Sequence, residues 1–221
     1  MPSVTTLAAW TPCRALASSG MAAVALWHPR GMSTETVTTL YGLLGLLAIV
    51  ALVWIAIMAV GARLSDGVAD SFDDGRERLA PYALWAAFVV ALLATAGSLY
   101  FSEIAHFLPC QLCWYQRIAM YPLVLILGIA AFRRDIGVRI YVIPLAAVGA
   151  VISTYHYLLE WFPSIDAGTC SVGIPCSQVW FRQFGFISLP LLALLAFLLV
   201  IALVLIPERG SSATTDESPT T

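Results

Sequence analysis

Long apolar runs, separated by short charged or proline-bearing stretches, dominate the chain. Five of them approach the roughly 20 residues that a helix needs to cross a bilayer core: 37–61, 81–100, 118–132, 140–161 and 186–206. The third is short, but Trp114 and Tyr115 extend its apolar face backward. The runs are continuous and rich in Leu and Ala. They lack the apolar–polar alternation of barrel strands and therefore read as helices. The expected fold class is an all-α membrane protein.

The arginines orient these helices. Arg63, Arg76 and Arg78 follow the first run, Arg133, Arg134 and Arg139 follow the third, and Arg209 follows the fifth. On the opposite side the connections carry only Arg117 and Arg182, with Arg14 and Arg30 in the N-terminal stretch. The positive-inside rule places the first group in the cytoplasm, with the N-terminus outside and the C-terminus inside. Residues 1–36 have no basic n-region and no clear cleavage site, so they read as an extracytoplasmic tail and not a signal peptide. Met21 and Met32 are alternative starts. Residues 207–221 are rich in Ser and Thr and read as a disordered cytoplasmic tail.

Composition narrows the class further. Sixty per cent of the residues (60%) are apolar, 11% are charged, and the mean hydropathy is +0.88. A soluble domain is nearer a quarter charged. An ordinary cytosolic enzyme, a disordered chain and a nucleic-acid binder are excluded, the last also by a net charge of −2. Every basic residue is Arg, which fits GC-rich coding and removes Schiff-base lysine chemistry.

The candidate chemistry lies in the cysteines. Cys13 stands alone and reads as an incidental thiol. Cys110 and Cys113 form a C-x-x-C, and Cys170 and Cys176 form a C-x5-C, one pair in each connection expected outside, where disulfides persist. Two structural disulfides, a four-cysteine metal site and a redox pair all fit the spacing. The surroundings of the first pair favour redox chemistry. Pro109 precedes it and a long apolar run follows, so the pair sits at a helix N-terminus whose free N–H groups stabilise a thiolate. Arg117, four residues after Cys113, shares its helical face and adds a fixed positive charge. Trp114 and Tyr115 read equally as interfacial residues or as the lining of a ligand pocket. His156 is an ionisable residue within a membrane run, which makes it a functional candidate and a plausible proton donor. Glu103 and His106 read as loop residues.

Pro-Cys-Gln-Leu-Cys-Trp-Tyr-Gln-Arg at 109–117, followed by Met120-Tyr121-Pro122, resembles the DsbB/BdbC family of membrane thiol–quinone oxidoreductases, in particular its BdbC-like branch. Ser98–Glu103, Tyr155-His156-Tyr157, Pro175-Cys176, Trp180 and Phe184-Gly185-Phe186-Ile187 with Pro190 match in order. The resemblance spans about residues 80–206. It implies a DsbB-like four-helix transmembrane bundle at 80–206, with one extra N-terminal transmembrane helix at 37–62 that the family core lacks. The close second pair leaves no room for a membrane-skimming helix between Cys170 and Cys176.

The resemblance also implies a function. A soluble thioredoxin-fold thiol oxidase (DsbA/BdbD-like) would deliver electrons to a Cys170–Cys176 disulfide, attacked at Cys170. These would pass to Cys110–Cys113, and from Cys113 to a membrane quinone, menaquinone or ubiquinone, held near Arg117, His156, Trp114 and Tyr115. A strongly oxidising donor can be drained only by an acceptor of still higher potential, and a quinone pool in the lipid bilayer supplies one. The implied location is the plasma (inner) membrane, multi-pass. Vitamin K epoxide reductase-like proteins carry the loop pair before the C-x-x-C, the reverse of the order here. A four-cysteine metal site leaves the Trp-Tyr-Gln-Arg run unexplained.

Overall fold

The computed structural model describes residues 33–166, 168, 170 and 174–206. The expectations for Cys13, for the alternative starts and for the C-terminal tail fall outside them, as does the N-terminal tail up to residue 32; its last residues, Thr34–Thr36, already belong to the first helix. The chain divides into a unit Met1–Val37, of which only Ser33–Val37 is described, and a unit Thr38–Thr221 that contains the bundle.

Five helices account for the apolar runs: α1 Thr34–Gly61, α2 Asp66–Leu99, α3 Gln111–Arg133, α4 Arg139–Trp161 and α5 Leu189–Val204. Four of them are long and apolar enough to cross a membrane, and α5 is a shorter apolar helix of 16 residues. Among the described residues there is no strand, only an isolated bridge between Gln183 and Ile187.

α1 begins at Thr34 and α3 at Gln111, somewhat before their apolar runs, and the starts of α2 and α5 differ for local reasons. α2 begins at Asp66, well before Pro81, because the charged stretch is itself helical. Asp66 sits in the first turn, where the helix dipole favours an acid. Asp74 and Arg78 pair one turn apart at 3.0 Å. A search for apolar runs sees only the membrane-embedded part of such a helix. α5 begins at Leu189 and not at 186, because the preceding residues close a turn. Phe184 and Gly185 have φ of 53° and 81°, and the N–H of Gln183 donates to the Ile187 carbonyl at 2.9 Å. This left-handed geometry suits glycine.

α2, α3, α4 and α5 pack around one core that includes Ala87, Ala91, Leu123, Leu127, Val142 and Phe197. Small residues let the backbones approach, as expected where lipid offers no hydrophobic drive to associate. The tightest case is Gly149 in α4, where an added Cβ would lie 2.3 Å from the Phe197 ring of α5. The bundle has two chemically distinct ends. At one, Arg76 and Arg139 donate to the carbonyls of Leu205 and Ile206 (3.3 and 2.8 Å), which satisfies the open C-terminus of α5. At the other, the cysteine-bearing connections meet.

Candidate functional site

Cys110 is the N-cap of α3. Its backbone is extended, and its Sγ accepts from the Cys113 N–H at 3.4 Å. The C-x-x-C is therefore the first turn of the helix, as Pro109 and the following apolar run require. The two sulfurs lie 3.1 Å apart and are not bonded. Cys170 and Cys176 form a disulfide with a Cα–Cα separation of 5.7 Å. Both pairs share one buried cluster with Leu112 and Leu159. With Cys170 and Cys176 bonded to each other, the four cysteines do not stand as four free ligands in this arrangement. The ligand atoms of Cys110, Cys113 and His156 do lie within 4.8 Å of one another, with Cys110 in hydrogen-bond contact with both of the others.

His156 joins the two pairs. Its Nε2 is 3.5 Å from Cys110 Sγ and 3.2 Å from the Cys176 carbonyl oxygen, and its Nδ1 is 3.2 Å from Gln116 Nε2. The Gln116 amide donates to Nδ1, so the ring proton sits on Nε2 and points at both Cys110 and Cys176. Cys110 thus receives donors from several sides. The hydrogen bond from the Cys113 thiol lowers its pKa most, burial opposes the shift, and His156 adds to the lowering, leaving it at about 4 against an ordinary thiol value of 9.0. The donors around Cys110 thus favour a thiolate there, while the Arg117 charge acts on Cys113 as its spacing suggests.

This shift has a measurable consequence. The folded reduced protein binds fewer protons than the unfolded chain between the folded and unfolded pKa of Cys110. Its stability should rise with pH across that window and be lost as pH falls through about 4. Ultraviolet thiolate absorbance of the reduced protein should persist on acidification to near this value. His156→Ala should move the midpoint upward; an unmoved midpoint would remove His156 from the network.

Arg117 turns toward α2. Its Nε donates to Ser98 Oγ at 3.0 Å and its Nη2 to the Ser98 carbonyl at 3.1 Å, while the guanidinium stacks over Trp114 at 5.2 Å. Beside it opens a cavity of about 420 Å³, bordered by Cys113, Gln116, Arg117 and Tyr121 of α3 and by Ser98 of α2. Phe107 and Trp180, stacked with centroids 5.0 Å apart, border it from the connecting segments.

Trp114, Tyr115 and His156 are not among the residues that border this cavity. From α3 it is faced by Cys113, Gln116, Arg117, Met120 and Tyr121. Trp114 reaches the site only through Arg117, and Tyr115 accepts a hydrogen bond from Gln111 at 2.8 Å. His156 also stands off the cavity, behind Cys110, with Gln116 between. Gln116, Ser98 and Tyr121 border the cavity and were not singled out as site candidates in the sequence. The helical spacing from Cys113 could have found Gln116 and Tyr121, whereas Ser98, though it opens the matching Ser98–Glu103 stretch, has no local signal that aims it at Arg117.

The model of the family "Disulfide bond formation protein DsbB" matches residues 80–207. Disulfide bond formation protein C of Bacillus subtilis is 57% identical over 119 residues, which cover 53% of this chain and 86% of that protein. Probable disulfide formation protein C 1 of Bacillus anthracis is 46% identical over 127 residues, covering 57% and 91%. A probable disulfide formation protein of Coxiella burnetii is 46% identical over 121 residues, covering 54% and 82%. No solved structure matches the chain.

Proposed function

Starting from the fact that the chain belongs to the DsbB family of disulfide bond formation proteins, multi-pass membrane disulfide oxidoreductases, we propose that it carries electrons from a soluble thioredoxin-fold oxidase to a membrane quinone. One observation carries the reading. The C-x-x-C lies between the Cys170–Cys176 disulfide, reached through His156, and a cavity bordered by Cys113. The pair thus has a sulfur donor on one side and room for an acceptor on the other.

The chemistry balances in three exchanges. A thiolate of the reduced soluble donor attacks Cys170, breaking the Cys170–Cys176 bond and forming a mixed disulfide. The donor's second thiol then releases the oxidised donor and leaves Cys170 and Cys176 as thiols. These reduce a Cys110–Cys113 disulfide in the same way. Finally Cys110 and Cys113 close their disulfide again, giving up two electrons and the Cys113 thiol proton; the second proton is the one released to solvent when Cys110 settles as a thiolate. A bound quinone supplies the acceptor for the electrons and both protons.

The chain's own groups prepare these steps. His156 holds Cys110 in thiolate form and binds the Cys176 carbonyl, so the two pairs stay within exchange reach. The apolar cavity has few polar groups converging on it, the composition of a small-molecule site. Ser98 fixes the Arg117 guanidinium at its edge, where it can face a carbonyl oxygen of a ring. The arginine distribution supports placing the cysteine end outside and the C-terminus in the cytoplasm.

The test is quinol formation by the purified protein in detergent, with a reduced thioredoxin-fold oxidase as donor and menaquinone or ubiquinone as acceptor. One quinol should appear for each donor disulfide formed. Donor oxidation without quinol, or no turnover with either quinone, would overturn the reading.

A further inference from the structure

α1 lies outside the region matched by the family model, yet it walls the acceptor cavity. Tyr41, Leu44, Ala48 and Ala51 border that cavity, and their spacing of three and four residues places them on one helical face. The helix is held there at several points. Tyr41 Oη donates to the Leu93 carbonyl of α2 at 3.1 Å. The Tyr41 ring covers Gly97, where an added Cβ would come within 2.5 Å of it, and meets Phe101 edge-on at 5.5 Å. A Cβ at Gly45 would lie 2.6 Å from a Leu192 methyl of α5. The Gln183 amide donates to Thr38 Oγ1 at 3.1 Å.

The cavity is elongated. From Tyr41 to Ala51 α1 advances about 15 Å along its axis, and the facing stretch of α5, from Leu189 to Leu199, has the same length. One end holds Cys113, Gln116, Arg117 and Ser98; the remainder is an apolar arm between α1 and α5. A ring acceptor occupies only the polar end. The arm has the shape and polarity of a hydrocarbon chain.

We infer that α1 is a specificity element of the acceptor site: its face from Tyr41 to Ala51 encloses the polyisoprenoid tail of a lipid quinone and favours tailed over tailless acceptors. The inference rests on the quinone reading above. The matched four-helix domain supplies the reacting thiols and the ring end, and α1 adds the covering wall.

The experiment compares menadione, a naphthoquinone without a tail, with a menaquinone bearing a polyisoprenoid tail, in the full chain and with the same reduced donor. Ala48→Phe and Ala51→Phe fill the arm, and Leu44→Ala widens it. In the filled variants the KM of the tailed quinone relative to menadione should rise at least about tenfold, the scale of about two buried methylenes losing their contacts. Leu44→Ala, which adds no bulk and should fold, should narrow the wild-type preference. Equal changes for both acceptors, or none in any variant, would overturn the role of α1 while leaving quinone reduction intact. A wild type that reduces neither quinone would overturn the functional reading, and this inference with it.

Discussion

Cys113→Ser should abolish quinone reduction whatever the electron donor, whereas the double variant Cys170→Ser/Cys176→Ser should lose it only with a protein donor. The asymmetry follows from geometry. Cys113 is the sulfur at the cavity, so its loss removes the step that every donor shares. The fall should be about a thousandfold or more, the scale of losing a reacting nucleophile. In the proposed relay the second pair is needed only to collect electrons from a protein donor, which attacks Cys170 and not the C-x-x-C. A small dithiol such as dithiothreitol bypasses it and reduces Cys110–Cys113 directly. Quinol absorbance with the two donors, in wild type and both variants, makes the comparison. Wild-type turnover by Cys113→Ser would sink the assignment. A double variant inactive with dithiothreitol as well would place Cys170 and Cys176 on the acceptor side.

Gly149→Val should destabilise the bundle more than any other single change considered. The new Cβ would meet three Phe197 ring atoms at 2.3, 2.4 and 2.7 Å. Phe197 is fully buried, so the ring cannot swing aside and the helices must separate. Overpacking typically costs about 1–3 kcal/mol, and a β-branched clash with a fixed ring belongs at the upper end. In a chain of this size that corresponds to a fall of about 5–10 °C in the midpoint of thermal unfolding. The effect should reach the site. His156 lies about two turns, or roughly 10 Å, further along α4, and separating α4 from α5 shifts its ring relative to Cys110. Adding Phe197→Leu, which makes room for the methyls, should restore part of the loss. Unchanged stability in the single variant would mean that this contact does not set the helix spacing.

The membrane helices were legible because each apolar run is long and continuous. What escaped was amphiphilic or local. The polar start of α2 carries no apolar run, and the turn before α5 uses apolar residues, Phe184 to Ile187, in a non-helical conformation. In the site, the C-x-x-C at a helix N-terminus could be read from Pro109 and the run behind it. His156 was visible as an ionisable residue inside a membrane run. Its target was not, because the Cys110 contact spans 46 residues and depends on how α3 and α4 are rotated against each other. The same rotation decides that Gln116 faces the cavity while Trp114 and Tyr115 do not. Arg117 shows the limit of pattern reasoning most sharply: the spacing to Cys113 is right, but Ser98, from another helix, determines where the guanidinium points.

The shortness of α5 bears on the membrane itself. Sixteen residues span about 24 Å, against roughly 30 Å of hydrocarbon in a typical bilayer. Such a mismatch is met by thinning the surrounding lipid or by charged side chains that draw headgroups inward. Arg76 and Arg139, anchored on the last carbonyls beyond α5, stand where they can do the latter. The leaflet at the arginine end of α5 should therefore be pinched, on the side of the bilayer opposite the cysteine end of the cavity that α5 walls.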